Sequence, residues 1–307
     1  MKARPHDPGQ RAIWSAIKGM FNTMADLNLG LIAAGVAFYG MLALFPTLAA
    51  VIAIWGFFSD PAVVETQVAL LERFVPSDAY LILQDQIAKL VGANESALGW
   101  TTLISLTAAL WSARAGVAAL IQGLNTIYRE KNRGGVRHYV TAFGVTFLLI
   151  GVALVALASV VIAPVVLKFL PLGPMAAMAL SAVRWLTAIG VVVLGLGVVY
   201  RFGPNRRGAR PGWLTPGAFL AVVIWAAASY AFSFYLANFG NYNRIYGALG
   251  AVIALLMWLY ISAFVVLLGA LLNAELELRT KRDTTVGPNN PPGFRGAYVA
   301  DHYTAPD

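Results

Sequence analysis

Apolar residues run almost unbroken through six stretches of the chain, about 32–58, 98–126, 139–167, 177–200, 214–237 and 247–272. A helix that crosses a bilayer needs about 20 mostly apolar residues, so the pattern predicts six membrane-spanning helices. Five stretches are plain. The second is diluted by Thr101, Thr102, Ser105, Thr107, Ser112, Arg114, Gln122 and Asn125.

Two segments outside these stretches carry a helical period. Over residues 10–29, Ile13, Ile17, Met20, Met24 and Leu27 share one stripe while Arg11 and Lys18 lie elsewhere, the pattern of an amphipathic helix lying on a membrane surface. Between the first two spans, residues 59–97 predict two short amphipathic helices. Asp60-Pro61 starts one, along Val64, Val68, Leu71 and Val75. Ser77 caps the other, along Tyr80, Leu83, Ile87 and Leu90. Together they form an expected external lid. From about Thr284 onward, Pro288, Asn289, Asn290, Pro291, Pro292 and Gly293 predict a disordered tail.

Charge orients the spans. Sixteen of the basic residues fall in four clusters: Lys2 to Lys18, Arg129 to Arg137, Arg201 to Arg210, and Arg279 to Arg295. The alternate loops hold only Arg73, Lys89, Lys168 and Arg244, so the positive-inside rule puts the clusters and both termini in the cytoplasm. Between Lys131 and Ala274 there is no aspartate or glutamate at all. Charged residues make up 12% of the 307 and hydrophobic ones 59%, against about a quarter charged in soluble domains. The net charge of +8 is accounted for by the orienting loops rather than by nucleic-acid binding. With no cysteine, disulfides and thiol chemistry are excluded. The first apolar run is too long for the core of a cleavable signal peptide and reads as a retained span.

Arg114 stands near the middle of the second span, where an arginine costs ~2.5–3.5 kcal/mol. At about 100° per residue, Thr107 and Asn125 fall within about 20° of it, giving one polar stripe that must face protein or water. No span supplies a carboxylate partner; Glu275 and Glu277 lie at the cytoplasmic end of the sixth, at headgroup depth. Two readings stand for Arg114: a structural arginine bonded to backbone carbonyls, or one that faces a diffusible anion such as a phosphate or carboxylate headgroup. Pro46 predicts a kink in the first span. Gly247 and Gly250 predict close helix packing at the start of the sixth.

Several short motifs, taken in order, resemble the YihY/BrkB family of bacterial inner-membrane proteins. They are Ala34-Gly35-Val36-Ala37-Phe38-Tyr39 with Phe45-Pro46, Leu124-Asn125-Thr126-Ile127-Tyr128, Tyr200-Arg201-Phe202-Gly203-Pro204, Pro216-Gly217-Ala218 with Trp225, Tyr246-Gly247 with Trp258, and Leu268-Gly269-Ala270 with Asn273-Ala274-Glu275-Leu276-Glu277. Coverage runs from about residue 10 to 280. Relatives often carry a glutamate directly after the Gly-Ala pair, where this chain has Leu271. The resemblance implies six spans and the inner membrane, without a settled activity. Members have been labelled ribonuclease BN, and others are linked to virulence or serum resistance. Metal-dependent RNA hydrolysis needs clustered His, Asp or Glu ligands. His6, His138 and His302 lie in unrelated segments, so the ribonuclease label is a misnomer on chemical grounds.

The expected fold is all-α: a polytopic membrane helical bundle of six spans with an interfacial N-terminal helix and a short external helical lid. Its parts are 1–30 (the N-terminal helix), 31–278 (the membrane domain, with the loop 59–97) and 279–307 (the tail). The expected function is a transporter or flippase-like protein for an anionic, amphipathic envelope molecule, with Arg114, Thr107 and Asn125 facing the substrate. No catalytic residue, metal or cofactor is expected, and no ATP-binding GxxxxGK[ST] segment is present. Expected partners are membrane lipids, an anionic lipid or amphipathic substrate, and no nucleic acid. The alternative is an envelope scaffold that recruits a protein through the loop 59–97.

Overall fold

The computed structural model describes residues 10–58, 95–157, 174–206, 215–239, 248–281 and 283–305. Among these the chain is helical, with no extended sheet: α1 Gln10–Asp26, α2 Leu29–Phe58, α3 Glu95–Ile127, α4 Gly135–Leu157, α5 Pro174–Phe202, α6 Pro216–Phe239, α7 Ala248–Leu278 and the single turn α8 Tyr298–Asp301. Three of them are long and apolar enough to cross a membrane, through Gly135–Ala153 of α4, Pro216–Leu236 of α6 and Val252–Leu278 of α7. A fourth candidate is the bent pair Ala12–Asp26 and Leu29–Ala43, which meet at 68°. The described part of α3 is not among these candidates, and Ile189–Phe202 of α5 forms a shorter apolar helix. Residues 59–94 of the expected lid lie outside the described residues, as does Gly247. Pro46 falls within α2, and its side chain lies outside the described ones.

Asn28 makes the bend between α1 and α2. Its φ of 52° is the left-handed conformation that asparagine tolerates at a helix C-terminus. The same residue closes α1, its N–H donating to Ala25 O, and opens α2, its carbonyl accepting from Leu31 N and Ile32 N. On α1 the expected stripe is only partly inward: Met20 is buried, Ile17, Met24 and Leu27 are half-buried, and Ile13 is exposed. The most buried positions are instead Ser15 and Ala16 beside Met20, while Trp14 and Phe21 project outward at 62% and 59% exposure. Exposed indole and phenyl rings on a surface helix are what an interfacial helix presents to lipid.

The chain divides into two compact units. Unit 1 comprises Met1–Ala33, Val117–Ala228 and Ile261–Asp307; unit 2 comprises Ala34–Gly116 and Ser229–Tyr260. Within unit 1, Ala118 and Ile121 of α3, Ala142 and Val145 of α4 and Val198 of α5 form an apolar core. Buried Leu267, Ala270, Leu271 and Ala274 line α7. Leu271, directly after the Gly269-Ala270 pair, is 1% exposed. Helices α6 and α7 cross at Gly217 and Gly269 so closely that a Cβ on either would enter the other's carbonyl oxygen. Small residues that let membrane helices approach at backbone distance are the general device. It operates at Gly217 and Gly269; of the positions the sequence suggested, Gly250 is buried and Gly247 lies outside the described residues. Within unit 2, Gly116 of α3 lies 3.7 Å, measured from a notional Cβ, from the backbone of Gly40 of α2.

One expectation is corrected. The tail 279–307 is expected from the sequence to be disordered, but its described residues 283–305 fold tightly. The carboxylate of Asp283 accepts hydrogen bonds from Thr285 N (2.8 Å), Thr285 Oγ1 (2.7 Å) and Asn290 N (2.9 Å). Arg295 is buried and donates to the carbonyls of Asn290, Ala300 and Lys281. Asp301 accepts from Gly293 N and Arg295 N. The prolines, asparagines and glycines that look like a solvated tail supply the turns, and two carboxylates and a guanidinium satisfy the backbone those turns expose.

Candidate functional site

The α3 stripe divides between the two units. In unit 2, Thr107 is exposed, and its hydroxyl donates back to Leu103 O at 2.7 Å, the common local bond of a helical threonine. It lines a shallow apolar groove of about 550 Å³ along one side of α3, between Trp100 and Trp111, with Leu103, Ile104, Ala108 and Ser112. One turn further on, Arg114 is half-buried and lays its guanidinium over the Trp111 ring, 4.7 Å from the centroid. A cation held on an indole face keeps its charge while its stem packs on apolar surface. The groove therefore has a hydrophobic floor and a cation beside its Trp111 end.

Asn125 belongs to unit 1 and is 2% exposed. Both ends of its amide are engaged: Nδ2 donates to Asn132 Oδ1 at 2.8 Å, and Oδ1 accepts from Asn205 N at 2.7 Å. Asn205 in turn donates through Nδ2 to Lys131 O. The asparagine thus joins the α3–α4 connection to the end of α5. Arg133 completes that join by donating to the carbonyls of Gly203 and Pro204, both at 2.7 Å, in the turn that follows α5.

A second polar system occupies the end of α7. Arg206 forms a two-pronged ion pair with Glu277 at 2.6 and 2.7 Å, and its other face lies over the Tyr128 ring, 4.9 Å from the centroid. The Thr284 hydroxyl shares the same carboxylate. Burial pulls the guanidinium of Arg206 towards losing its proton, but the hydrogen bonds and charge of Glu277 outweigh it and hold the pKa above the ordinary value. Burial also raises the pKa of the Tyr128 phenol, with the nearby Arg206 charge opposing it, so the ring is a neutral platform at any physiological pH. Two residues earlier on α7, Glu275 pairs with Arg279 at 2.5 Å and accepts from Thr23 Oγ1 at 3.1 Å. Arg279 also donates from Nε to Ser15 Oγ at 2.9 Å. Ser15 and Thr23 flank Gly19 on α1, where a side chain would run into the Glu275 carboxylate. Finally, Asn273 accepts from Gly217 N and donates to Thr215 Oγ1, which fastens the start of α6 to α7.

Glu275 and Glu277, placed at headgroup depth by the sequence, are therefore inside the last turns of α7, and each is committed to an arginine within its own unit. Tyr128, Arg133, Arg206, Asn273 and Arg279 were missed as a set. Only the Glu275–Arg279 pair had a local signal, a glutamate four residues before an arginine on a helix. Among the described residues no group of three or more His, Cys, Asp or Glu side chains is placed to hold a metal ion.

The model of the family described as virulence factor BrkB matches residues 13–293. Over 253 residues the chain is 28% identical to the ribonuclease-like protein YfkH of Bacillus subtilis, which covers 81% of this chain and 90% of that protein. Over 282 residues it is 30% identical to a UPF0761 membrane protein of Xanthomonas campestris pv. campestris, covering 90% of this chain and 63% of the relative. The counterpart from Xanthomonas axonopodis pv. citri matches over the same length, with 64% of it covered. The chain thus spans less than two thirds of the Xanthomonas relatives it matches. No solved structure matches the chain.

Proposed function

The chain belongs to the virulence factor BrkB family of integral membrane proteins, and from that premise we propose that it is a six-span protein of the bacterial inner membrane, both termini cytoplasmic, that moves an anionic amphipathic molecule of the envelope. The observation that carries this reading is Arg114 resting on Trp111 at the end of the apolar groove along α3. Trp100 and Trp111 are about 16 Å apart along the helix. A strip of that length suits an acyl chain, with each buried methylene contributing ~0.8 kcal/mol. The guanidinium suits the phosphate or carboxylate of a headgroup, which it can engage through two parallel N–H donors. Both halves of an anionic amphiphile thus find matching chemistry on one helix. Neutral lipids match only the groove.

Among the described residues, the ribonuclease-like name of the Bacillus relative has no counterpart, since no group of three or more His, Cys, Asp or Glu side chains is placed to hold a metal ion. The acids of α7 are bound to arginines rather than arranged round a vacant metal position.

The test is lipid movement in liposomes reconstituted with the full chain. Fluorescent short-chain phosphatidylglycerol and phosphatidylcholine report transfer between leaflets through quenching by dithionite. Transfer of the anionic probe is expected to exceed that in protein-free liposomes, to exceed that of the neutral probe, and to fall at least tenfold in Arg114→Ala while Arg114→Lys retains part of it. Equal rates for Arg114→Ala and the parent protein at equal abundance would remove the anion site. No transfer of either probe would favour the scaffold alternative.

A further inference from the structure

We propose that the outward side of α1 is a docking face for anionic phospholipid, with Trp14 and Phe21 seated among the acyl chains of one leaflet and the Lys18 ammonium on a headgroup phosphate between them. The face belongs to unit 1 and Arg114 to unit 2, so this inference does not rest on the proposed movement of lipid.

The inward side of α1 fixes which side is left over. Ser15, Gly19 and Thr23 recur at every fourth residue and meet the end of α7. Arg279 Nε donates to Ser15 Oγ at 2.9 Å, Thr23 Oγ1 donates to Glu275 Oε1 at 3.1 Å, and a side chain at Gly19 would run into the Glu275 carboxylate. Ala16 and Met20 beside them are 0% and 4% exposed. Small and polar residues thus make the contact with protein, and hydrogen bonds to the Glu275–Arg279 pair hold the helix there. At about 100° per residue, Trp14, Lys18 and Phe21 fall within about 60° of one another on the opposite side. All three are exposed. Ile13, with half-buried Ile17 and Met24, widens the apolar arc on one flank, and exposed Asn22 and Asp26 make the other flank polar.

A surface helix of a water-soluble protein turns its large apolar side chains inward and its small polar ones outward. Helix α1 does the reverse, so the side turned from the protein needs an apolar neighbour. Direction and charge make that neighbour an anionic bilayer surface. Helix α1 meets Leu29–Ala43 of α2 at 68°, and a span with the usual tilt of ~20° then leaves α1 nearer the membrane plane than its normal. The two rings stand about 10 Å apart along the axis, in line with that plane. The charge between them is a lysine, whose stem packs along apolar surface while its ammonium reaches the phosphate layer. Ahead of it the chain adds Lys2, Arg4 and Arg11 against Asp7 alone, a surplus that anionic lipid attracts and neutral lipid does not.

The chain has no cysteine, so one introduced thiol carries a nitroxide without background. The label is placed by Phe21→Cys on the proposed face and by Asn22→Cys on the polar flank, in the full chain. Where Phe21→Cys fails to fold, Ile13→Cys on the same apolar arc takes its place. Relaxation by oxygen, which partitions into lipid, is compared with relaxation by a water-soluble nickel chelate. Nanodiscs contain either equal parts of phosphatidylglycerol and phosphatidylcholine or phosphatidylcholine alone. In the mixed discs oxygen is expected to outweigh nickel at least threefold at position 21, with the reverse at 22. The excess at 21 is expected to fall at least by half in phosphatidylcholine alone and in Lys18→Glu, and to be kept in Lys18→Arg. A label at 21 that nickel reaches as freely as the one at 22 overturns the proposal, since the face then meets water. So does a label at 21 shielded from both reagents, the mark of a covering protein or a second copy. An oxygen excess indifferent both to phosphatidylglycerol and to Lys18→Glu also overturns it, because no anionic headgroup is then held.

Discussion

Replacing Glu277 with leucine should be among the most damaging single changes to the stability of this protein. The side chains of Arg206 and Glu277 are 3% and 10% exposed, so neither has water to fall back on. Removing one partner of a buried pair costs ~3–5 kcal/mol, because the charge left behind stays desolvated. Here the orphaned guanidinium keeps the face of Tyr128, at 4.9 Å, and a desolvated cation–π contact offsets up to ~2 kcal/mol. The expected cost is therefore near the lower bound, ~3 kcal/mol. Arg206→Met should cost somewhat less, since Thr284 still donates to the abandoned carboxylate. The double variant puts two apolar chains of similar volume against each other and should recover most of the loss, a coupling of at least ~2 kcal/mol. The assay is equilibrium unfolding in mixed detergent micelles for the parent, both singles and the double, which closes a double-mutant cycle. Additive single effects, with the double variant the least stable of the four, would refute the claim that the pair is coupled and buried.

Three other outcomes follow from the same packing. Gly269→Ala would drive its methyl to 2.5 Å from Tyr200 Oη and into the Gly217 carbonyl, where helix backbones have no slack; a loss of at least ~3 kcal/mol is expected in the same unfolding assay, against under ~1 kcal/mol for Gly116→Ala, whose nearest neighbour is 3.7 Å away. At Asn28, with φ at 52°, glycine should be tolerated within a few tenths of a kcal/mol and valine should lose ~1–2 kcal/mol, read as a shift in melting midpoint. For Asp283, burial alone would raise the carboxyl pKa, but hydrogen bonds from Asn290 and Thr285 and the charge of Arg295 bring it from 3.8 down to about 2. A lowered folded-state pKa contributes stability that is complete above about 4 and is lost as pH falls through about 2. Exchange protection of residues 283–301 should therefore be constant from pH 7 to 5 and decline below 4. In Asp283→Asn that acid dependence should disappear.

The spans of α4, α6 and α7 were legible because an uninterrupted apolar run has a single stable solution in a bilayer. Their ends were less so. The expected last span closed at about 272, yet α7 continues to Leu278, since Glu275 and Glu277 find arginine partners that a hydropathy pattern does not count. Arg206 and Glu277 are 71 residues apart, and Asn205 and Asn125 are 80 apart; no local periodicity connects such residues. The order of residues 283–305 was hidden for a different reason. Asp, Asn, Gly and Pro are the residues of both solvated tails and tight turns, and what separates the two outcomes is whether a buried partner such as Arg295 is available. On α3 the wheel placed Thr107, Arg114 and Asn125 on one stripe, which is correct helix geometry, but it carries no information on what each side chain meets. Thr107 bonds to its own helix, and Asn125 joins two connections.

That division bears on what family membership means for this chain. Asn125, Tyr128, Tyr200, Gly203, Gly217, Gly269, Asn273, Glu275 and Glu277 come from the motifs by which the chain resembles its family, and all of them lie in unit 1. Each has a structural duty there: Tyr200 donates to Val266 O, Gly217 and Gly269 permit a helix crossing, and Asn273 fastens α6 to α7. Amides, carboxylates and guanidinia whose valences are already filled by one another have little left with which to bind a substrate. The motif residues of unit 1 therefore specify an architecture, held by buried polar contacts, while Ala34–Tyr39, Phe45-Pro46, Tyr246-Gly247 and Trp258 of the same motifs fall in unit 2. Arg114 and the groove along α3 stand outside these motifs and in the other unit. On the proposed lipid-moving role, two proteins of this family can share the unit 1 network and differ in what they move, and variants that disturb the network should lower abundance and activity together. On the same role, only substitutions along Trp100, Thr107, Trp111 and Arg114 should change lipid preference at constant abundance. A variant of Asn273 or Glu275 that altered lipid preference without loss of folded protein would place the substrate in unit 1 and reverse this assignment.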